Sequence, residues 1–198
     1  MVDIVKGEIW NRNDFGTLCE WRTLYRCVEV GVDRGDFAEV FLRRNYNCQL
    51  YMVIDPYLPY HGMPYDREGD YMTMLEKLRR HSNAKIIRST SAEAIASLKT
   101  ADAIFWRPPY SFVYLDADHR EEAVYEQCCA WWDLIVDGGV LAGHDWACTS
   151  GDHQGVREAV IRFATERNLT IRHTYHDDPQ SWYINKGAPE LERHPGGL

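Results

Sequence analysis

No two of the six cysteines (Cys19, Cys27, Cys48, Cys128, Cys129 and Cys148) are spaced as a C-x-x-C pair. That spacing excludes the common dithiol redox motif and the usual paired-thiolate zinc site. No apolar run approaches the roughly 20 residues that span a bilayer, so no membrane partner is expected. Met1-Val2-Asp3-Ile4-Val5-Lys6 has no apolar signal segment. The expectation is a reduced, cytoplasmic compartment in which the cysteines act as small core residues. There is no long Lys/Arg run, and the formal net charge is −8. A nucleic-acid partner is therefore not expected, because its phosphates would be repelled. Repeats, low-complexity tracts and linkers are absent too, and 198 residues read as one domain, 1–198, with a substantial core.

What is present is an alternation of strand-like and helix-like segments. Strands are expected at Cys27–Val30, Leu50–Ile54, Lys85–Arg88, Phe112–Leu115 and Val140–Ala142. Helices are expected at Asp36–Arg44, Tyr71–His81, Ala92–Leu98 (with Ser91 as N-cap), Glu121–Leu134 and Val156–Arg167. Asp137-Gly138-Gly139 reads as a turn, and the proline- and tyrosine-rich stretch 57–70 as a loop. Thr170–Tyr175 and Ser181–Asn185 are too close in sequence for a crossover and so require an antiparallel pair. The pattern predicts an α/β fold: a doubly wound, mostly parallel sheet covered on both faces, with an antiparallel C-terminal strand.

In such sheets ligands bind outside the carboxyl ends of the strands. Two groups of residues fall there. The first is Glu29-Val30-Gly31-Val32-Asp33-Arg34-Gly35 at the first strand-to-helix turn, with Asp55 ending the next strand. Glycine permits a tight turn or close backbone approach, and Asp55 is placed to accept from ribose hydroxyls. The spacing is G-x-x-x-G, not the dinucleotide pattern G-x-G-x-x-G, and Asp33 stands where a pyrophosphate would need a glycine. Two acids, Glu29 and Asp33, would repel phosphate. A ligand with a ribose, no phosphate and a cationic end, such as S-adenosylmethionine, fits better. The second group is Asp116-Ala117-Asp118-His119 with Gly143-His144-Asp145: three acids and two imidazoles at two strand ends.

With these motifs in place, the chain resembles the class I S-adenosylmethionine-dependent methyltransferases, in particular the macrocin-type sugar O-methyltransferases and, more distantly, the catechol O-methyltransferases. The resemblance runs from about residue 27 to 186. It rests on Val28-Glu29-Val30-Gly31 with Gly35, on Asp55, on Asp116-Ala117-Asp118-His119, on Gly138-Gly139-Val140-Leu141-Ala142-Gly143-His144-Asp145 and on Ser181-Trp182-Tyr183-Ile184. It implies a Rossmann-like sheet of about seven strands. It also implies a cofactor site in which Gly31 and Gly35 shape the loop, Glu29 lies near the methionine end, Asp55 binds ribose, Ser91 approaches adenine and Asp116 borders the methyl donor. Asp116, His144 and Asp145 match the positions that hold a divalent cation in these relatives, and Asp118 or His119 the position of the base. His144 departs from the family, which has Asp-Asp or Asp-Asn where this chain has His144-Asp145. Magnesium prefers oxygen ligands, whereas imidazole suits Mn, Fe or Zn.

The expected activity is methyl transfer to a hydroxyl of a small molecule. Its rivals are metal-independent N- or carboxyl-methylation on the same fold, and a nucleoside-binding scaffold without turnover. Tyr57, Tyr60, His61, Tyr65, Tyr71, Trp146 and His153 are candidates for lining the acceptor site, and a homo-oligomer is left open.

Overall fold

The computed structural model describes residues 2–59, 66–147 and 155–187. In chain order the elements are β1 (Ile4–Lys6), α1 (Phe15–Trp21), β2 (Arg26–Val30), α2 (Asp36–Arg44), β3 (Leu50–Ile54), α3 (Arg67–Leu78) and β4 (Ala84–Ile87). There follow α4 (Ser91–Thr100), β5 (Tyr110–Leu115), α5 (Glu121–Trp132), β6 (Ile135–Gly143), α6 (Gly155–Arg167), β7 (Ile171–His173) and β8 (Trp182–Asn185). Short 3-10 turns occupy Arg12–Asp14 and Ile104–Trp106.

The strands form one sheet in the order β1-β7-β8-β6-β5-β2-β3-β4. Every pairing is parallel except the two made by β8, which runs antiparallel to β6 and β7. Alternate side chains of the central strands enter two cores. Val28, Val30, Met52, Ile54, Val113, Leu115 and Leu141 pack under α4, α5 and α6. Cys27, Tyr51, Val53, Phe112, Tyr114 and Ala142 face Phe15 and Leu18 of α1, Phe37 and Phe41 of α2, and Met74 and Leu78 of α3. Burial on both faces explains why all of β3 is apolar and buried. The doubly wound, Rossmann-like class expected from the alternation is the observed one.

The details differ at identifiable places. The sheet has eight strands where about seven were expected, because residues 4–6 add β1 in parallel beside β7. α3 begins at Arg67, four residues before the expected start, since the Asp66 side chain accepts from the Gly69 N–H (2.9 Å) and caps it. The N-cap of α4 is Thr90, not Ser91: the Thr90 hydroxyl accepts from the Glu93 N–H (3.4 Å), and the Glu93 carboxylate accepts from the Thr90 N–H (3.0 Å). The expected turn at Asp137-Gly138-Gly139 lies inside β6, which shifts register against β5 between Tyr110 and Phe112.

From β2 the chain winds outward through β3 to β4, then crosses to β5 on the other side of β2. The crevice between β2 and β5 is therefore the topological switch point of the sheet. Here the loops crowd together. The Asp116 N–H donates to the Val30 carbonyl (2.8 Å), and Gly31 has a φ of +83° with the Asp116 carbonyl against its α-carbon. A β-carbon at position 31 would fall well inside the radius of that oxygen. We expect Gly31→Ala to destabilise the fold by about 2–4 kcal/mol, summing left-handed strain and overpacking. Gly138 has a φ of +84° but open space around it, so Gly138→Ala carries only the strain, about 1 kcal/mol. Urea denaturation of the two variants checks the contrast; equal losses would refute it.

Candidate functional site

The parallel ladders continue one residue past the strand ends and set the site. Asp116 is held by its bond to Val30, and the His144 N–H donates to the Leu115 carbonyl (3.1 Å). Asp145 follows with a φ of +59° and is 4 % exposed. Asp33, after β2, and Tyr57, after β3, also take left-handed backbones, at φ +49° and +50°. Non-glycine residues in this region are strained. Three loops at one edge of the sheet carry them.

The structure brings Asp116, His144 and Asp145 together: one donor atom from each lies within 4.8 Å of the others. His144 Nδ1 is 3.3 Å from Asp145 Oδ1 and 3.9 Å from Asp116 Oδ1. His119 joins the same group, its Nε2 being 2.9 Å from Asp145 Oδ2 and 3.8 Å from Asp116 Oδ1. Burial alone would lower the His119 pKa, but the Asp116 and Asp145 carboxylates beside it outweigh that and raise the value to about 9. The effect on Asp145 is reciprocal. Its burial favours the neutral acid, yet His119 and His144 hold the carboxyl well below the usual carboxylate range.

Asp118 lies apart from this cluster's contacts. Its carboxylate accepts from the Arg120 N–H (2.9 Å) and from the Arg120 guanidinium (3.0 Å at Nε), an Asx turn locked by an ion pair. Burial would raise its pKa; Arg120 overcomes this and lowers it.

In the first crevice Glu29 is 2 % exposed and accepts from the Tyr51 hydroxyl (2.7 Å). Burial, only partly offset by that bond, pushes its pKa up to about 8. Asp55 ties the two loops together. Its Oδ2 accepts from the N–H groups of Val32 (2.9 Å) and Asp33 (3.2 Å), and its Oδ1 from that of Tyr57 (2.8 Å). The Arg67 guanidinium adds contacts of 3.3 Å to both oxygens and also bonds Asp33 (2.7 Å) and Asp70 (3.0 Å). Gly35 takes a φ of +75° as the N-cap of α2. The Ser91 hydroxyl, on the first residue of α4, accepts from the Trp131 indole N–H (2.9 Å).

Some residues expected to line the acceptor site are placed otherwise. Trp146 is 3 % exposed and belongs to the core beneath α6. Tyr57 is buried against Tyr71, with the Arg67 and Arg88 guanidinium groups over the rings. Tyr60, His61, Tyr65 and His153 lie outside the described residues. Three cations at the edge were missed. Arg120 stands two residues after Asp118, where an Asx turn could have been read. Arg67 answers the acids Asp33, Asp55 and Asp70. Arg12, whose Nη1 is 3.8 Å from Asp116 Oδ2, has no local signal.

Among known proteins, the sequence profile described as a methyltransferase domain matches residues 28–146, which spans both crevices. No curated protein matches the chain. Solved structures share the fold at low identity. An O-methyltransferase of Bacillus cereus, crystallised with SAH, is 13 % identical at a TM-score of 0.64, over 88 % of this chain and 80 % of that one. TomG of Streptomyces achromogenes, an O-methyltransferase of tomaymycin synthesis solved with SAM, is 15 % identical at a TM-score of 0.64, over 89 % and 79 %. The SAH-bound methyltransferase PaMTH1 of Podospora anserina is 12 % identical at a TM-score of 0.60, over 89 % and 78 %. The family read from the two strand-end motifs is thus the one matched over residues 28–146, more than half of the chain: this protein belongs to the methyltransferase domain family and has the Rossmann-like fold of the S-adenosylmethionine-dependent O-methyltransferases.

Proposed function

We propose that the protein transfers the sulfonium methyl group of S-adenosylmethionine to a hydroxyl oxygen of a small molecule, with a divalent cation held by Asp116, His144 and Asp145. The observation that carries this reading is the convergence of those three donors within 4.8 Å beside the Gly31–Asp116 switch point. The methyl donor and the acceptor oxygen would meet where the two crevices adjoin. Glu29 lies at the methionine end, Gly31 and Gly35 shape the loop, Asp55 addresses the ribose and Ser91 the adenine. For Asp55 to accept from ribose hydroxyls, the Arg67 guanidinium must share or yield its place.

The donor set suits a cation. Two carboxylates and one imidazole at the edge favour Mn, Fe or Zn over magnesium. When bound, such an ion lowers the pKa of a coordinated hydroxyl and fixes its oxygen in place. In the transfer an oxygen lone pair attacks the methyl carbon, the carbon–sulfur bond breaks with its electrons going to sulfur, and the hydroxyl proton leaves to a base. Positioning supplies much of the rate. Asp118 is a weak base because Arg120 lowers its pKa. His119 is better placed, but with a pKa of about 9 it holds its proton at Nε2 near pH 7. It becomes a competent base once the charge on Asp116 and Asp145 is offset, and those are two of the proposed cation ligands.

The 2.9 Å His119–Asp145 contact favours one second reading, metal-free acid–base methylation of a nitrogen or carboxylate. Chelation separates the two. We expect chelator-treated protein to lose at least about 100-fold in methylation of hydroxylated acceptors, read by mass spectrometry, and to recover with Mn more than with Mg. Asp116→Asn should weaken Mn binding in calorimetry. Full activity after demetallation would sink the cation.

The His119 proton gives a second test. Its folded pKa lies above the unfolded value of about 6.5, so its ion pairs stabilise the fold fully below pH 6.5. That contribution is lost as pH rises through about 9. In metal-free protein we expect the His119 ring signal to titrate near pH 9 by NMR, and Asp145→Asn to lower the midpoint by about 1–2 units. A midpoint at 6.5 in the parent protein would contradict the ion pairs.

A further inference from the structure

The strand absent from the sequence reading, β1, determines where the N-terminal segment runs. Because β1 is parallel to β7, the chain leaves it at the carboxyl edge of the sheet, the edge that carries Asp55, Asp116 and Asp145. Residues 8–14 then cross that edge before α1 descends onto the face of β5. The crossing is fixed at both ends. The Trp10 carbonyl accepts from the N–H groups of Tyr175 (3.0 Å) and His176 (2.9 Å), and its ring stacks on His176 at 3.9 Å. The Asn11 and Asp14 side chains cap the 3-10 turn reciprocally, and Asp14 pairs with Arg44. Phe15 is fully buried against Phe112, Tyr114 and Tyr183. Arg12 is thus carried by a clamped turn, not by a loose tail.

Arg12 reaches the β2–β5 switch point. Its Nη1 lies 3.8 Å from Asp116 Oδ2, while His119 and His144 address the other oxygen, Oδ1. The pair is beyond hydrogen-bond range, and the Arg12 side chain is 35 % exposed, so the contact is a weak one. Among the described residues no hydrogen bond is formed by its guanidinium. Arg67, at the ribose side, spends its guanidinium on Asp33, Asp55 and Asp70. The Arg12 charge also acts on the buried Glu29 and Tyr114. A preorganised guanidinium with unspent donors is suited to planar, bidentate recognition of a carboxylate.

We infer that Arg12 binds the α-carboxylate of the cofactor's methionine moiety. The inference rests on the S-adenosylmethionine reading above and adds a residue to it. The methionine end is zwitterionic, and an acid at Glu29 without a cation beside it would answer only the ammonium. Arg12 supplies the missing half from a segment outside the matched residues 28–146. An acceptor carboxylate is the other anion that could approach Arg12, and the test distinguishes it.

Two probes differ by the groups in question. S-adenosylhomocysteine carries the amino-acid carboxylate; 5′-methylthioadenosine keeps the adenosine and the sulfur but lacks it. Calorimetry would compare both ligands on the parent protein, Arg12→Met and Arg12→Lys, with thermal melts confirming that each variant folds. We expect Arg12→Met to weaken S-adenosylhomocysteine about tenfold or more, the scale of a lost charge-assisted pair, and to leave 5′-methylthioadenosine within about twofold; Arg12→Lys should recover part of the loss. Equal weakening of both ligands would reduce Arg12 to a packing role and overturn the inference. Unchanged S-adenosylhomocysteine affinity would overturn it as well and leave Arg12 to the acceptor. If the parent protein binds neither ligand, the cofactor reading itself fails and this inference with it.

Discussion

The close approach of the β2 and β5 loops is the constraint on which the site depends. Where the Gly31 α-carbon meets the Asp116 carbonyl there is no room for a side chain, and the Asp116 N–H is bonded to Val30. Parallel strands end at a common edge, but the edge becomes a site only if the loops leaving it stay together. The Gly31 contact holds two of them. Asp55 adds a third, its own, by accepting from backbone N–H groups of the β2 loop and of the β3 loop. A carboxylate used this way is a structural clasp, since each lone pair directed at a peptide N–H fixes a dihedral of the loop beyond it. Ligand contact and loop geometry therefore draw on the same residues.

What the sequence revealed follows from the range of the forces involved. Leu50–Ile54 was readable to the residue because a strand buried on both faces must be apolar throughout. The Asp116 and His144-Asp145 motifs were readable because they terminate such strands. β1 was not: three residues with exposed side chains have no periodicity, and their pairing with β7 is settled by tertiary contact. Thr90 and Ser91 are adjacent and both suited to capping; only the reciprocal Glu93 bond decides for Thr90. Arg12 is the extreme case. Its relation to Asp116 spans more than a hundred residues and depends on β1, on the Trp10 clamp and on Phe15 together. The left-handed backbones of Asp33, Tyr57 and Asp145 were likewise invisible, because no glycine marked them.

His144 changes the electrostatics of the second crevice relative to a family pattern with an acid there. A second carboxylate beside Asp145 would need a cation or a proton to be tolerated so close. An imidazole there adds no second negative charge and lies 3.3 Å from Asp145 Oδ1 through Nδ1. Together with His119 it keeps Asp145 ionised although the residue is 4 % exposed. The cluster can consequently exist without a metal, as a set of internal ion pairs, and still offer one nitrogen and two carboxylates when a metal competes for them. Binding of a cation and release of the His119 proton would then be linked, since both are responses to the same two carboxylates.

The same logic extends across the edge. Most acids there have a cation within reach: Asp33, Asp55 and Asp70 share Arg67, Asp116 faces Arg12, Asp118 holds Arg120, and Asp145 holds His119. Among the described residues Glu29 forms no ion pair; burial raises its pKa, and the Tyr51 hydroxyl and the Arg12 charge offset only part of that. A ligand carrying both charges can enter such a surface by exchanging partners without leaving a buried charge unpaired, whereas a polyanion that took the cations would leave the acids unpaired. The chain's net charge of −8 works in the same direction. A zwitterionic donor with a sulfonium centre is thus matched to this edge by the arrangement of its ion pairs as well as by the shape of its loops.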